Sequence, residues 1–394
     1  MNSLYSLIKS KASELEGYSV KLRRYFHQNP ELSLEEYKTA SKIAEILSQF
    51  GIDVKTVAEG RGVIGLLKCK GDGKTVALRA DTDALPIQEE NQVPYKSKVP
   101  GVMHACGHDA HIAMLLTAAK MLVEFKDKLN GNVKFIFQPA EEVGEGAKMM
   151  IRDGALENVD FIMGIHVWGS LDVGKIGLRS GAFMASGDFF EVIVKGSGGH
   201  GASPHLTRDP IIASTAIINN IQTIISREID PLNSAVISVT KIHGGEAYNV
   251  IPEKVSFGGT IRTLKEEVRR KIHERFTEMI TEVSKAYRCE AEVKVMEKFA
   301  VTINDPSMIA LIRRISVELV GEDNVIEHPP VMGSEDFSYY AQKVPGAFIP
   351  LGVRNEEKGI KYPHHHPRFN IDEDALPIGS ALYASTAIAL LREE

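Results

Sequence analysis

The sequence predicts an α/β protein, a sheet domain interrupted by an inserted ferredoxin-like α+β domain, and three observations carry that prediction. At 394 residues the chain is longer than one hydrophobic core usually grows, so two domains are expected. Its first half alternates segments of helical apolar spacing with short apolar runs, the pattern of a sheet covered by helices. From 187 to 298 the order becomes strand, helix, strand, strand, helix, strand, a split unit that can bury a one-sided sheet against two helices.

Taken in order, a helix is predicted over roughly 34 to 50, followed by strands VIGLLK, TVALRA, VKFIFQ and DFIMGIHV. Between the second and third of these, DAHIAMLLTAAKMLVEF starts at Asp109 with helical spacing and an acidic residue in its first turn. The motif just before it therefore sits at a helix N-terminus. Open α/β sheets bind ligands beyond the carboxyl ends of their strands, so the loops after TVALRA, VKFIFQ and MGIHV are expected to border one crevice. In the insert, strand DFFEVIVKG precedes a helix over about 210 to 227, strands SAVISVTKIH and KVSFGGTIR, helix KEEVRRKIHERFTEMITEVSKAY and strand CEAEVKVME. Helix PSMIALIRRISVELV and a last helix around 372 to 391 return to the mixed pattern. The expected division is thus 1–186 with 299–394 for the sheet domain and 187–298 for the insert.

Composition narrows the function classes. Hydrophobic residues make up 43% and charged residues 25%, an ordinary globular balance with no reason to expect long disordered stretches. The net charge of −6 is spread among interspersed acids and bases, so no basic stripe points to nucleic acid. No segment approaches the ~20 consecutive apolar residues that cross a bilayer, and the charged N-terminal stretch MNSLYSLIKSKASELEGYSVKLRRYF is unlike a signal peptide. The three cysteines, Cys69, Cys106 and Cys289, are too sparse for a disulfide framework and suit a reducing cytoplasmic compartment.

The densest chemical signal is MHACGHDAH, which brings His104, Cys106, His108, Asp109 and His111 close together in sequence. Thiolate and imidazole suit zinc, and the helix N-terminus is expected to favour the ionised thiol. The bland alternative is a buried cysteine among surface histidines. FQPAEE ends a strand and follows it with Glu141 and Glu142, one able to ligate a metal and the other to shuttle a proton from an activated water to a leaving amine; adjacent glutamates are otherwise simply solvated. His166 in GIHVW is either a ligand near the same strand ends or a hydrogen-bonded core histidine. YPHHHPRFNIDEDALP places His364, His365 and His366 in a stiff loop, and spacing does not choose among them. Asp81 and Asp83 in RADTDALP fit ligands, orienters of a ligating imidazole, or a turn before Pro86. In the insert, GSGGHGASPH offers His200 and His205 on a glycine-rich loop, while Asn249 and Arg262 suit a substrate carbonyl and carboxylate.

Together and in this order, RADTDALP, MHACGHDAH, FQPAEE, GIHVW, GGHGASPH, GGEAYNVIPE, GSEDF and HHHPRFNIDEDALP resemble the metal-dependent amidohydrolase and exopeptidase family of zinc carboxypeptidases, N-acyl-amino-acid aminoacylases, hippurate hydrolases and auxin-conjugate hydrolases. The resemblance spans nearly the whole chain. It implies a catalytic α/β domain with two neighbouring metal sites and an inserted lid that also forms a dimer contact. By motif match, Cys106 lies between the metals, His108, Glu142, His166 and His365 complete the ligand set, and Glu141 is the general base. His365 is preferred because the family pattern is histidine, one residue, then proline, which fits Pro367. His200 matches a lid histidine that steadies the developing oxyanion in a partner subunit's site, and Asn249 and Arg262 hold the substrate end. In the wider superfamily a Gly-His-x-Asp motif supplies a ligand histidine and an aspartate bridges the metals. Ala80-Asp81-Thr82-Asp83 stands at that place here, with His108 replacing the histidine and Cys106 the bridge.

The expected reaction is metal-dependent hydrolysis of the amide bond adjacent to a free carboxylate, releasing the C-terminal amino acid from peptides or N-acyl amino acids. The expected cofactor is one or two Zn2+ per subunit, with Co2+ or Mn2+ as substitutes because a soft bridge holds the second ion weakly. A homodimer or homotetramer is expected. Two rivals stand beside this reading. A zinc nucleobase deaminase needs a Pro-Cys-x-x-Cys pair, which Cys106 lacks. A non-catalytic metal- or partner-binding protein rests on the histidine triplet alone.

Overall fold

The apolar runs differ in kind, and the difference dictates two kinds of sheet. VKFIFQ and TVALRA are apolar almost without alternation, and in the computed structural model, which describes residues 2–392, both are buried on both faces. DFFEVIVK alternates, and its strand Ser186–Lys195 buries every second residue, as a sheet with one wet face requires. Contacts within the chain separate into two units accordingly, Met1–Gly181 with Ile303–Pro329 and Asp336–Glu394, and Ala182–Thr302 with Pro330–Glu335.

The first unit holds an eight-stranded mixed sheet. Its order is Asp53–Val57, Gly62–Lys68, Asn130–Gln138, Lys70–Asp81, Phe161–Asp172, Gly346–Arg354, Ile176–Leu178, Val325–Glu327. The four strands from Asn130–Gln138 to Gly346–Arg354 run parallel, so their carboxyl ends share one edge, with Asp81 registered against Gln138. Helix His108–Phe125 is apolar nearly all round and buried nearly all round, packed against the equally buried helix Ala375–Leu391. Leu115, Leu116 and Leu122 meet the sheet residues Leu78, Val133 and Phe135 in one core, where truncating one leucine to alanine costs about 2–5 kcal/mol.

The strand Gly346–Arg354 was not predicted. It lies between Phe161–Asp172 and Ile176–Leu178 and is buried through most of its length, with Pro350 opposite His166. His166 itself does not end its strand, which continues to Asp172. The helix predicted over 34 to 50 is Tyr37–Gln49, and helices Asn2–Glu14 and Glu16–Gln28 precede it.

The second unit has the predicted ferredoxin-like composition. Its four-stranded antiparallel sheet has the order Ala235–His243, Lys254–Thr263, Ser186–Lys195, Glu290–Phe299. Helices Pro210–Thr223 and Glu266–Ala286 cover one face through Ile217, Ile221, Ile272, Phe276 and Ile280. Asp209 caps the first of these, accepting from the N–H groups of Ile211 and Ile212. Pro330–Glu335, distant in sequence, joins this unit because Ala185 donates its N–H to the carbonyls of Val331 and Gly333.

Candidate metal centre

The sheet's carboxyl edge gathers the chemistry-bearing residues of the first unit. Gly107 precedes the helix with φ +90°, and a Cβ there would stand 2.4 Å from Val167 Cγ2. Only glycine allows that tight entry, and it sets Cys106 and His108 beside the strand that carries His166.

Each imidazole is oriented by what its other nitrogen does. His108 Nδ1 lies 2.9 Å from the Asp83 carbonyl and 3.2 Å from Asp83 Oδ1, so it donates there. Its buried Nε2 makes no hydrogen bond and faces Asp81 Oδ2 at 3.6 Å and Glu142 Oε1 at 4.0 Å. His166 Nδ1 donates to the Val167 carbonyl at 2.6 Å, leaving Nε2 3.5 Å from Cys106 Sγ. Asp83 also accepts the Glu142 N–H at 3.0 Å, and Glu142 Oε1, buried without a hydrogen bond, sits 3.5 Å from His365 Nε2. His365 reaches this position with φ +64° and its N–H on the Ala105 carbonyl at 2.9 Å.

The donors form two adjoining triads, Cys106 with His108 and His166, and Cys106 with Glu142 and His365, each with its atoms within 4.8 Å of one another. They share Cys106. Glu141, also buried, forms a third such group with His108 and Glu142. Ligands bound at the ~2.0–2.3 Å of zinc sites stand about 3–4 Å apart, so the spacing fits a divalent cation. The buried orphan atoms of His108 and Glu142 fit one too, because such atoms are costly unless something binds them.

Electrostatics point the same way. Burial alone would lower the His108 pKa, but Asp81, Asp83 and Glu142 outweigh it and push it up to about 10; the pocket demands a positive charge at Nε2. Burial, with His111 and His364 nearby, holds His166 far below the usual histidine range, as a neutral imidazole. The Cys106 thiol is pushed well up by burial and then by Glu142, Glu141 and Asp81. The expectation that the helix N-terminus ionises it fails, because three carboxylates and desolvation outweigh one helix end; a bound cation would reverse that balance.

Of the remaining residues of the dense motif, His111 and Asp109 are otherwise engaged, and His104 makes no hydrogen bond through either ring nitrogen. His111 accepts the Val167 N–H on Nε2 at 2.9 Å and bonds Asp81 through Nδ1 at 2.5 Å, so neither nitrogen is left for a ligand. Asp109 accepts from Arg23 Nε and His27 Nδ1, each at 2.8 Å. His104 is buried, and desolvation pushes its pKa down to about 4. In the triplet, His364 accepts the Gly169 N–H at 3.0 Å, and His366 accepts the Arg368 N–H at 3.0 Å and stacks on Tyr362.

Beneath the cluster lies a support that the sequence did not announce. Arg79, buried in TVALRA, donates to Asp81 Oδ2 at 2.8 Å, to Gln138 Oε1 at 2.9 Å and to Asp336 Oδ1 at 2.9 Å. An arginine inside an apolar strand was the available signal. Ser33 donates to Asp83 Oδ2 at 2.7 Å and Glu36 accepts the Ala140 N–H at 2.8 Å; nothing in NPELSLEE marked them.

In the second unit, His200 and Asn249 come together on a two-stranded ribbon in which His200 pairs with Val250 and Gly201 donates to the Asn249 carbonyl at 2.8 Å. Both are exposed, and His200 Nδ1 accepts the Ala202 N–H at 3.0 Å. Arg262 is half-buried, bonded to Thr260 Oγ1 at 3.1 Å and to the Ser334 hydroxyl.

Sulfur, imidazole and carboxylate donors at the end of a parallel sheet, with a further glutamate against them, define a metal-dependent hydrolase. The sequence matches the model of peptidase family M20/M25/M40 over residues 77–389, and the chain belongs to that family. It is 45% identical over 98% of its length to thermostable carboxypeptidase 2 of Saccharolobus solfataricus, covering 98% of that protein. It is 43% identical to an IAA-amino acid hydrolase of Arabidopsis thaliana, covering 98% of this chain and 88% of that one. The crystal structure of a Bacillus subtilis dinuclear metal-binding peptidase of the M20 family superposes with a TM-score of 0.85 at 35% identity, covering 96% of this chain and 99% of that one. The protein is a metal-dependent amide hydrolase. No helix among the described residues is long and apolar enough to cross a membrane.

Proposed function

We propose that the protein releases the C-terminal amino acid from short peptides or N-acyl amino acids, cutting the amide next to a free carboxylate. The observation that carries this reading is the pair of donor triads sharing Cys106 with Glu141 beside them. Relatives named for carboxypeptidase and amino-acid-conjugate hydrolysis agree in that the group leaving from the amide is an amino acid.

In this reading Cys106, His108, Glu142, His166 and His365 hold one or two divalent cations, zinc first and cobalt or manganese as substitutes, supported by the mixed sulfur, nitrogen and oxygen donors. When bound, the cation supplies Lewis acidity that polarises the scissile carbonyl and acidifies a water. Glu141 takes that water's proton on its carboxylate and passes it to the departing amine, a general-base role favoured by its burial against the cluster. Asp83 keeps His108 and Glu142 in place through its three hydrogen bonds. His200 is assigned the oxyanion, within a partner subunit's site, and Asn249 and Arg262 the substrate carbonyl and carboxylate. Arg262's support is its anchored, half-buried guanidinium.

The sheet domain is the catalytic one and the insert, residues 187–298, the lid and dimerisation domain of a homodimer or homotetramer. The insert's edge strand Ala235–His243 exposes Val236 and Ile242, which suits self-association. Three free cysteines, one of them in the cluster, suit the cytoplasm.

The test is release of free amino acid from a panel of N-acyl amino acids and short peptides by metal-stripped protein, with and without zinc, cobalt or manganese. Metal-dependent release of the C-terminal residue is expected. Silence with every metal, from folded protein that still binds metal, overturns the reading.

A further inference from the structure

The two cluster glutamates hang from a turn whose backbone is not one that their neighbours would choose unaided. Ala140, buried between the strand Asn130–Gln138 and Glu141, has φ +55°, a conformation that alanine rarely adopts. Its carbonyl accepts the N–H groups of Glu145 at 3.3 Å and Gly146 at 3.1 Å, and the turn closes so tightly that a Cβ on Gly146 would stand 1.7 Å from the Pro139 carbonyl oxygen. The remaining group of the Ala140 residue, its N–H, points to a segment 104 positions earlier in the chain, where Glu36 Oε1 accepts it at 2.8 Å. Glu36 is fully buried, and its other oxygen, Oε2, makes no hydrogen bond.

A buried acid is a costly side chain to hold in a core, and its backbone hydrogen bonds, the Ala140 N–H among them, are what offset that cost. We infer that Glu36 is a positioning residue for hydrolysis, a clamp that fixes the left-handed Ala140 turn and thereby the placement of Glu141 and Glu142. The same peptide run is gripped one step further on, where the Glu142 N–H meets Asp83 Oδ2 and Ser33 steadies that aspartate. NPELSLEE thus reaches the glutamate turn directly through Glu36 and, by way of Asp83, through Ser33. Burial, with Asp83 close by, pushes the Glu36 carboxyl up to about 8, so glutamine, neutral and with the same carbonyl oxygen, is a close substitute for it.

The inference rests on the roles proposed above for Glu141 and Glu142, and the experiment separates the two. Glu36→Ala and Glu36→Gln are compared with the parent for kcat, KM and cobalt binding to metal-stripped protein, followed by titration and by the cobalt absorption spectrum. Glu36→Ala is expected to lose about 10- to 100-fold in kcat with KM little changed, to bind cobalt about tenfold more weakly and to alter the spectrum. Glu36→Gln is expected to stay within about threefold of the parent on each count. A folded Glu36→Ala that matches the parent overturns the clamp, and so does a folded Glu36→Gln that falls as far as the alanine variant. Should the alanine variant fail to fold, the glutamine variant decides alone: parent-like kcat and cobalt spectrum support the acceptor role, and loss of both overturns it. A parent that binds cobalt yet hydrolyses nothing sinks the functional reading instead, and the cobalt titration of the variants then still tests the clamp.

Discussion

The main-chain N–H of Val167 donates to Nε2 of His111, and this bond takes His111 out of any ligand set. His111 and His108 sit one helical turn apart with rings 5.4 Å from each other, yet one presents a nitrogen to the cluster and the other does not. His108→Ala is therefore expected to abolish tight metal binding. His111→Gln is expected to keep the parent metal count while lowering the melting temperature, because a buried hydrogen bond and the Asp81 contact are disturbed at a cost of about 1–3 kcal/mol. Metal content after gel filtration, beside a thermal melt, separates the two. Equal loss of metal in both variants would refute the assignment.

Replacing Glu141 by Gln keeps the size of the side chain and removes the base. With the donor triads untouched, bound metal should be unchanged while kcat falls about 10²- to 10⁴-fold. The measurement is the initial rate on the best substrate of the panel, with metal content determined on the same sample. An unchanged rate would mean that the proton goes elsewhere.

Much of this was legible in the residues because each signal had one dominant physical cause. The two kinds of strand declared themselves by continuous or alternating burial, and the chemistry sat in loops after strands TVALRA and VKFIFQ, where parallel sheets put it. What was missed has equally definite causes. In AFIPLGV a proline argues against an interior strand, yet Pro350 is accommodated opposite His166, next to the short and irregular contact with Ile176–Leu178. MHACGHDAH offers five metal-capable side chains, and a sequence cannot show that Arg23 and His27 on another helix claim one of them, Asp109. Glu36 and Ser33 act through bonds 104 and 50 residues long in sequence, which no local pattern encodes.

Cation binding should release protons. Without metal, Cys106 keeps its proton because burial and three carboxylates disfavour the thiolate, and His108 keeps its second proton up to about pH 10. Both sites must be deprotonated to bind a cation, so uptake near pH 8 is expected to release about two protons and to tighten about a hundredfold per pH unit. Calorimetry of zinc binding in two buffers of different ionisation enthalpy gives the count directly. A count near one would show that Cys106 is not a ligand or is already ionised, and a count near zero would remove His108 from the ligand set as well.

Asp188 is a buried carboxylate of the second unit whose partners favour its ionised form. It is fully buried, and although burial raises its pKa, hydrogen bonds from His273 at 2.7 Å and from Arg269 at 2.9 and 2.6 Å outweigh that and hold it below the usual carboxylate range. A folded-state pKa below the unfolded one means that the ionised carboxylate stabilises the fold fully above about pH 4 and ceases to do so as pH falls through the folded value. Asp188→Asn removes the nearest carboxylate from the buried Arg269, which keeps Glu266 at 3.3 Å and Glu297 at 3.4 Å, so at pH 7 it is expected to cost about 1–3 kcal/mol. The difference from the parent should stay level from pH 8 to 5 and shrink below about pH 4, where the parent loses the same charge. Urea unfolding followed by circular dichroism across that range reads it; a deficit that grew towards low pH would mean that Asp188 is not held ionised by its partners.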